Sequence, residues 1–320
     1  MEQPLILADE VGYLGNARYI SGTAHLPNMQ KSQFYHFGYS LMLLPAFWLF
    51  TDPISVYKAA IAINALLVSA LYFPLLFILE SFLDVPRSAA RWIAFTCCLY
   101  PSLVLYSNFA WSENAFIPFY AIAAALFGKY LVSRSSRHLL YFSVSAGFLY
   151  TIHPRALPIL ATVAVYLLVL AFMKVVTKRQ LLVSGVMIGM IFLITRSVND
   201  HLKAVGYSGG GEIFFNKLPG RLLPGTDFPQ LLERALGQVL YMVQASHGLF
   251  LVGLAAVTWW ILRKSVSESL PRVMASPRTG VPLFVLVTAS GVFIASCTSK
   301  LFSVHGPDGL RGADFIHGRY

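Results

Sequence analysis

Charge is scarce in this chain. Only 12% of its 320 residues are Asp, Glu, Lys or Arg, about half the share of an ordinary soluble domain. The acidic side is the thinner one, with 14 Asp and Glu against 24 Lys and Arg. The resulting excess of +10 is not gathered on one polar stretch, so nucleic acid is not an expected partner. Cysteine is scarcer still. Cys97, Cys98 and Cys297 all lie in apolar runs and read as small buried hydrophobes, which excludes a disulfide or metal framework. Neither HExxH nor CxxC occurs, and no internal repeat stands out. Gly209-Gly210-Gly211 lacks the Lys-Ser/Thr of a phosphate loop and reads as a flexible stretch. The first eight residues lack a basic segment followed by a long apolar one, so no signal peptide is expected there.

What is abundant is apolar. Hydrophobic residues make up 57% of the chain and mean hydropathy is +0.64. So much apolar surface implies lipid as the solvent. A helix needs about 20 apolar residues to cross the hydrocarbon core. Candidate spans fall at about 55–82, 90–107, 114–132, 138–153, 156–173, 180–198, 236–262 and 281–303. The expectation is therefore an all-α, polytopic transmembrane helical bundle of about eight spans, a single domain over 1–320. The shorter run Phe34–Phe50 carries His36, Gly38 and Pro45, and 199–235 is the longest polar stretch.

Short basic loops orient such a bundle, because Lys and Arg stay on the cytoplasmic side. Arg87 and Arg91, then Arg134 and Arg137, then Lys174, Lys178 and Arg179, then Arg263, Lys264, Arg272 and Arg278 occupy alternate loops. All can be cytoplasmic together. That puts 1–53, the turn Trp111–Glu113, the turn His153-Pro154-Arg155, the loop 199–235 and the tail 304–320 outside. Phe34–Phe50 must then be a re-entrant or surface-lying helix, since a true span there would invert the segment before it.

Carboxylates, histidines and arginines thus converge on one face, as an external active site needs. Each also has a plainer reading. Asp9-Glu10 suits the first turn of an amphipathic helix, and Glu113 after Ser112 suits a helix start. Arg155 and Arg196 can snorkel to headgroups. Gln244 and His247 lie within an apolar run, where a helix–helix hydrogen bond competes with function.

The order of segments resembles the GT-C superfamily of membrane glycosyltransferases, in particular the protein O-mannosyltransferases and the aminoarabinose transferases of lipid A. Asp9-Glu10-Val11-Gly12-Tyr13, followed by Asn16-Ala17-Arg18-Tyr19, resembles the family's first external loop. Tyr35-His36-Phe37-Gly38-Tyr39 onward to Pro53 resembles its external juxtamembrane helix. Tyr100-Pro101 with Ser107 and Ser112-Glu113-Asn114 resembles a Pro…Ser-Glu stretch entering a later span. Asp314-Phe315-Ile316-His317-Gly318-Arg319-Tyr320 resembles an Asp…Tyr-Gly-Arg-Tyr stretch, with His317 replacing the first Tyr. Family members carry a helix before the Asp-Glu loop and further spans after the Arg-Tyr position. A missing first span and C-terminal part are therefore expected.

The resemblance implies a polyprenyl-phosphate sugar donor in the bilayer, a protein, lipid or glycan acceptor, and a multi-pass chain in a bacterial plasma membrane with the site outside. It makes Asp9 the base, with Glu10 second or orienting the acceptor. Arg155, Arg18 and Arg319 are the donor-phosphate candidates, ahead of Lys58 and Arg196. Tyr13, His153 and Glu113 are left to position substrates. No cofactor and no metal are implied. The alternatives are a lipid-linked-sugar transporter or flippase, which would carry polar groups at mid-bilayer on broken helices, and a truncated, inactive relative.

Overall fold

The computed structural model describes residues 8–23, 35–206, 228–245 and 249–301. Every regular element among them is helical. The elements are α1 (Ala8–Ile20), α2 (Phe37–Leu49), α3 (Pro53–Ala70), α4 (Tyr72–Ser81), α5 (Arg87–Cys98), α6 (Pro101–Tyr106) and α7 (Glu113–Ser133). They continue with α8 (Ser136–Ile152), α9 (Ala156–Phe172), α10 (Lys178–Gly206), α11 (Phe228–Ala245), α12 (Leu249–Ser267), α13 (Leu270–Ala275) and α14 (Pro277–Leu301).

Local chemistry sets the boundaries. Asp52 caps α3 by accepting from the Ser55 N–H at 2.9 Å, with Pro53 in the first turn. Pro101 has no N–H to give, so the expected span 90–107 breaks at Leu99–Tyr100 into α5 and α6. Pro154 separates α8 from α9 in the same way. Arg134 and Lys174 take left-handed φ values of 54° and 61° where α7 and α9 end.

Among the described residues, four stretches are long and apolar enough to cross a membrane: Pro53–Ser81 (α3 and α4, with an irregularity at Leu71), Glu113–Ser133, Lys178–Gly206 and Pro277–Ile294. Phe37–Leu49 and Ala156–Phe172 are apolar but shorter. The expected span 236–262 falls on two helices, α11 and α12, with 246–248 outside the described residues. The polar stretch 199–235 is helical at both described ends, because α10 continues to Gly206 and α11 begins at Phe228. At 13 residues, α2 is about 20 Å long, short of a core about 30 Å thick. Its first turn, Phe37–Ser40, is buried, as are Leu43, Leu44 and Ala46, while Leu41 is exposed.

The core forms where α7, α8, α9 and α14 meet. Phe127 touches Phe142, Tyr166 and Phe284, with ring centroids 4.9–5.3 Å apart. Small residues bring the outer helices in: a Cβ on Gly147 of α8 would lie 2.9 Å from Ile191 of α10.

The basic turns collect at one end. Arg278 pairs with Asp84, Arg134 donates to the Ala275 carbonyl at 2.7 Å, and Gln180 donates to the Arg134 carbonyl at 3.2 Å. These contacts tie together the four turns that the sequence assigns to one side.

Candidate functional site

The opposite end is built around α1. Its residues at i and i+4 share a face, and Asp9 and Tyr13 use that spacing. Glu10 points elsewhere and is fully buried (0% exposed). It accepts from the backbone N–H of Ala110 at 2.6 Å and from the Tyr57 hydroxyl at 3.0 Å. Glu10 therefore fastens α1 to α3 and to the turn before α7. It is held, whereas Asp9 is exposed. The Tyr35 hydroxyl donates to Asp9 Oδ1 at 2.7 Å. That bond aims the carboxylate, which stays exposed.

Tyr13 is buried against Tyr35 and Tyr39, edge to face at 4.9 and 5.1 Å. Its hydroxyl donates to Ser112 Oγ at 2.7 Å, and burial pushes its pKa above the ordinary range. Ser112 precedes Glu113, to which its hydroxyl donates at 3.4 Å. Arg155 Nη1 meets Glu113 Oε1 at 3.0 Å, with the two side chains 61% and 29% exposed. An ion pair that open contributes about 0–1 kcal/mol, so Arg155 can exchange Glu113 for another anion at little cost.

His153 follows α8. The Arg155 backbone N–H donates to its Nδ1 at 2.9 Å. That fixes the neutral tautomer with the proton on Nε2. Burial, then the Arg155 charge, then His36 hold its pKa well below the usual histidine value. His36 is 2% exposed and donates through Nδ1 to the Tyr150 carbonyl at 2.7 Å. Burial outweighs that bond and lowers its pKa to about 4.

The turn between α6 and α7 carries backbone groups that no helix satisfies. Asn64 donates to the Phe109 carbonyl at 2.7 Å while accepting from the Tyr39 hydroxyl at 2.6 Å. Asn114 donates to the carbonyls of Tyr106, Phe109 and Trp111 at 2.9–3.1 Å. With Glu10 on Ala110 N–H, three side chains clamp this turn. Asn64, the polar residue inside the first expected span, is fully used in that clamp.

Two glycines of the motif stretches have steric reasons. A Cβ on Gly12 would enter the Tyr35 ring at 1.9 Å. One on Gly38 would lie 2.2 Å from Thr151 Oγ1 and 2.5 Å from the Thr151 carbonyl carbon.

The sequence candidates divide accordingly. Tyr13, Glu113, Arg155 and His153 lie in one linked cluster, which Asp9 joins through Tyr35, whereas Glu10 bonds instead to Ala110 and Tyr57. Arg18 is exposed in the last turn of α1 and joins no other candidate among the described residues. Arg196 pairs with Asp200 at 3.7 Å on α10. Lys58 lines a separate apolar groove of about 490 Å³ between α2 and α3. Asp314, His317, Arg319 and His247 lie outside the described residues. Tyr35, Tyr57, Asn64 and Asn114 were not candidates; only their contacts reveal them. Gly206-Tyr207-Ser208-Gly209-Gly210 has the Gly-x-Ser-x-Gly spacing of a hydrolase elbow; Gly206 ends α10 and the other four lie outside the described residues. Among the described residues no three His, Cys, Asp or Glu side chains gather as a metal site requires.

Over the described residues the fold is therefore all-helical, with four stretches long and apolar enough to cross a membrane. No family model, no curated protein and no solved structure gives a significant match to the chain.

Proposed function

We propose that the chain is a membrane glycosyltransferase that moves a sugar from a polyprenyl-phosphate donor to an acceptor, with Asp9 as the base. The observation that carries this reading is an exposed carboxylate aimed by the Tyr35 hydroxyl, at the same end of the bundle as an arginine whose ion pair with Glu113 is solvent-exposed. The two groups suit the two demands of the reaction. Asp9 takes the acceptor's proton as the oxygen or nitrogen attacks the anomeric carbon. The sugar–phosphate bond breaks, and Arg155 meets the charge that develops on the leaving lipid phosphate. Neutral His153, with its proton on Nε2, is a donor for a sugar hydroxyl or phosphate oxygen.

In this reading the helices form a GT-C-like bundle of about eight spans, with α8, α9 and the α5–α6 and α11–α12 pairs added to the four long stretches. The basic turns face the cytoplasm and the α1 end faces outside. Transport of the lipid-linked sugar is the competing reading. It is disfavoured because Asn64 is buried and bonded to the Tyr39 hydroxyl and the Phe109 carbonyl.

Transfer from a radiolabelled polyprenyl-phosphate sugar, with the purified chain in lipid nanodiscs, tests the proposal. Asp9→Asn should remove transfer, by roughly 100-fold or more, and Arg155→Ala should raise the donor KM. Full transfer by Asp9→Asn would remove Asp9 from the chemistry. Movement of labelled lipid across vesicles with no transfer by the unmutated chain would favour transport.

A further inference from the structure

Helices α9 and α10 are antiparallel neighbours joined by a short turn, yet they do not close on each other. An apolar groove of about 810 Å³ runs between them. Ala161, Ala164 and Leu168 of α9 form one wall, and Gly185 and Gly189 of α10 lie in the other. A Cβ added at either glycine would meet nothing within 4 Å, whereas at Gly147 on neighbouring α8 it would meet Ile191 at 2.9 Å. Two glycines four residues apart bring another chain close to a helix backbone in lipid. Here that place is open among the described residues.

Lys178 lines one end of the groove. Exposed Lys174 and Arg179 flank it. The turn holding Arg134 and Arg137 is alongside, because Gln180 Nε2 donates to the Arg134 carbonyl and to Ser136 Oγ, both at 3.2 Å. No Asp or Glu occurs from Asn114 to Asn199, so these helices offer the cluster no carboxylate of their own. We propose that the groove binds an anionic phospholipid from the leaflet at the Lys178 end, with one acyl chain between α9 and α10 and its phosphate on Lys178.

Length and charge select this occupant. From Leu157 to Leu168 the α9 wall spans about 17 Å, and from Lys178 to Phe192 the α10 wall spans about 21 Å. Both exceed half of a core about 30 Å thick and fall short of the whole, which fits an extended chain from one leaflet. A second copy of this chain packed across the groove would bring the same cations together about a twofold axis. A polyprenyl phosphate held by Arg155 would leave Lys178, at the far end of α9, without its anion. Basic pockets between membrane helices are common sites for anionic headgroups. The inference needs a membrane but not the glycosyl-transfer reading.

The test is lipid retention by the purified chain, read by native mass spectrometry, with dioleoyl phosphatidylglycerol against dioleoyl phosphatidylcholine. Phosphatidylglycerol should be retained in preference. Lys178→Ala should cut that preference about fivefold, the effect of one cation near a headgroup. Gly185→Leu with Gly189→Leu should fill the groove and remove retention of both lipids. Gly253→Leu on α12, where an added Cβ also meets nothing within 4 Å, should change neither. Equal retention of the two lipids, or a preference indifferent to Lys178→Ala, would overturn the proposal. So would a lipid-free two-copy species that the leucines dissociate. Retention of undecaprenyl phosphate alone, lost with Arg155→Ala and not with Lys178→Ala, would assign the groove to a sugar carrier instead. If the double leucine variant fails to fold, Lys178→Glu decides, since it must abolish the preference.

Discussion

The two ends of the bundle handle polarity in opposite ways. At the α1 end most of the buried polar groups are individually partnered: Glu10 on Ala110 N–H and Tyr57, Tyr13 on Ser112, His36 on the Tyr150 carbonyl, Asn64 between Tyr39 and Phe109, with Trp111 Nε1 and Asn114 Oδ1 bonded to none of the described residues. At the other end the cations are mostly exposed, and the turns are joined through backbone carbonyls and the Arg278–Asp84 pair. Buried polar groups are costly to leave unpaired, so the first end depends on geometry. Exposed charges are screened and interchangeable, so the second depends on their number. A geometric end suits chemistry and a charged end suits anchoring in a bilayer.

Substitution should expose that contrast most sharply at Gly38. Its Cα faces the Thr151 backbone, and a Cβ there would come within 2.5 Å of the carbonyl carbon. Backbone cannot swing aside as a side-chain end can. Gly38→Val should cost about 3 kcal/mol, at the top of the usual range for overpacking, measured by denaturant unfolding in detergent. If Gly38→Val is tolerated, α2 does not pack on α8 as closely as described, and the geometric end is looser than argued.

Acid should strain the same end. His36 has a folded pKa near 4, below its unfolded value. The unfolded state therefore binds more protons between about pH 6.5 and pH 4. Stability from this residue is fully present above about pH 6.5 and is lost as pH falls towards 4, by up to about 3 kcal/mol. His153 adds to the loss in the same direction. Melting temperatures at pH 7, 6, 5 and 4.5 should fall steadily, and His36→Gln should flatten the curve. A flat profile in the unmutated chain would mean that His36 is already charged or wet.

The adjacent acids separate stability from chemistry. Glu10→Ala strands the buried Ala110 N–H and should cost about 2 kcal/mol, while Glu10→Gln keeps an acceptor and costs less. Asp9→Asn is an exposed change and should stay within about 0.5 kcal/mol. Transfer lost in Asp9→Asn with an unchanged melt would then report on the reaction. Equal destabilisation by Asp9→Asn and Glu10→Ala would place both acids in the scaffold.

Much of the scaffold was legible from apolar run lengths and prolines, since Pro53, Pro101, Pro154 and Pro277 sit at helix boundaries where the missing N–H puts them. The break at Leu99–Tyr100 was not separated from a span, because apolar run length ignores what Pro101 does to the preceding residue. Gathering of the basic turns was legible too, since alternation of short loops forces it. The roles of Asp9 and Glu10 were not. Sequence makes the two carboxylates equivalent; a bond to an N–H 100 residues away separates them. Tyr35 was hidden for the same reason, because its link to Asp9 depends on how the chain between α1 and α2 returns.

The smallest effect should come from the charged end. Gly185 and Gly189 sit inside α10 with nothing within 4 Å of an added methyl. Glycine costs a helix interior about 0.5–1 kcal/mol relative to alanine. In the chain stripped of lipid, Gly185→Ala should therefore raise stability slightly, by up to about that amount, and a methyl is too small to close the groove. The opposite sign before stripping would be the informative outcome. Loss of stability at Gly185 would mean that something already presses on this face of α10, since an alanine in open space cannot clash. Gly189→Ala should then fail in the same way, and both losses should vanish when the purified chain is stripped of lipid if that something is an acyl chain.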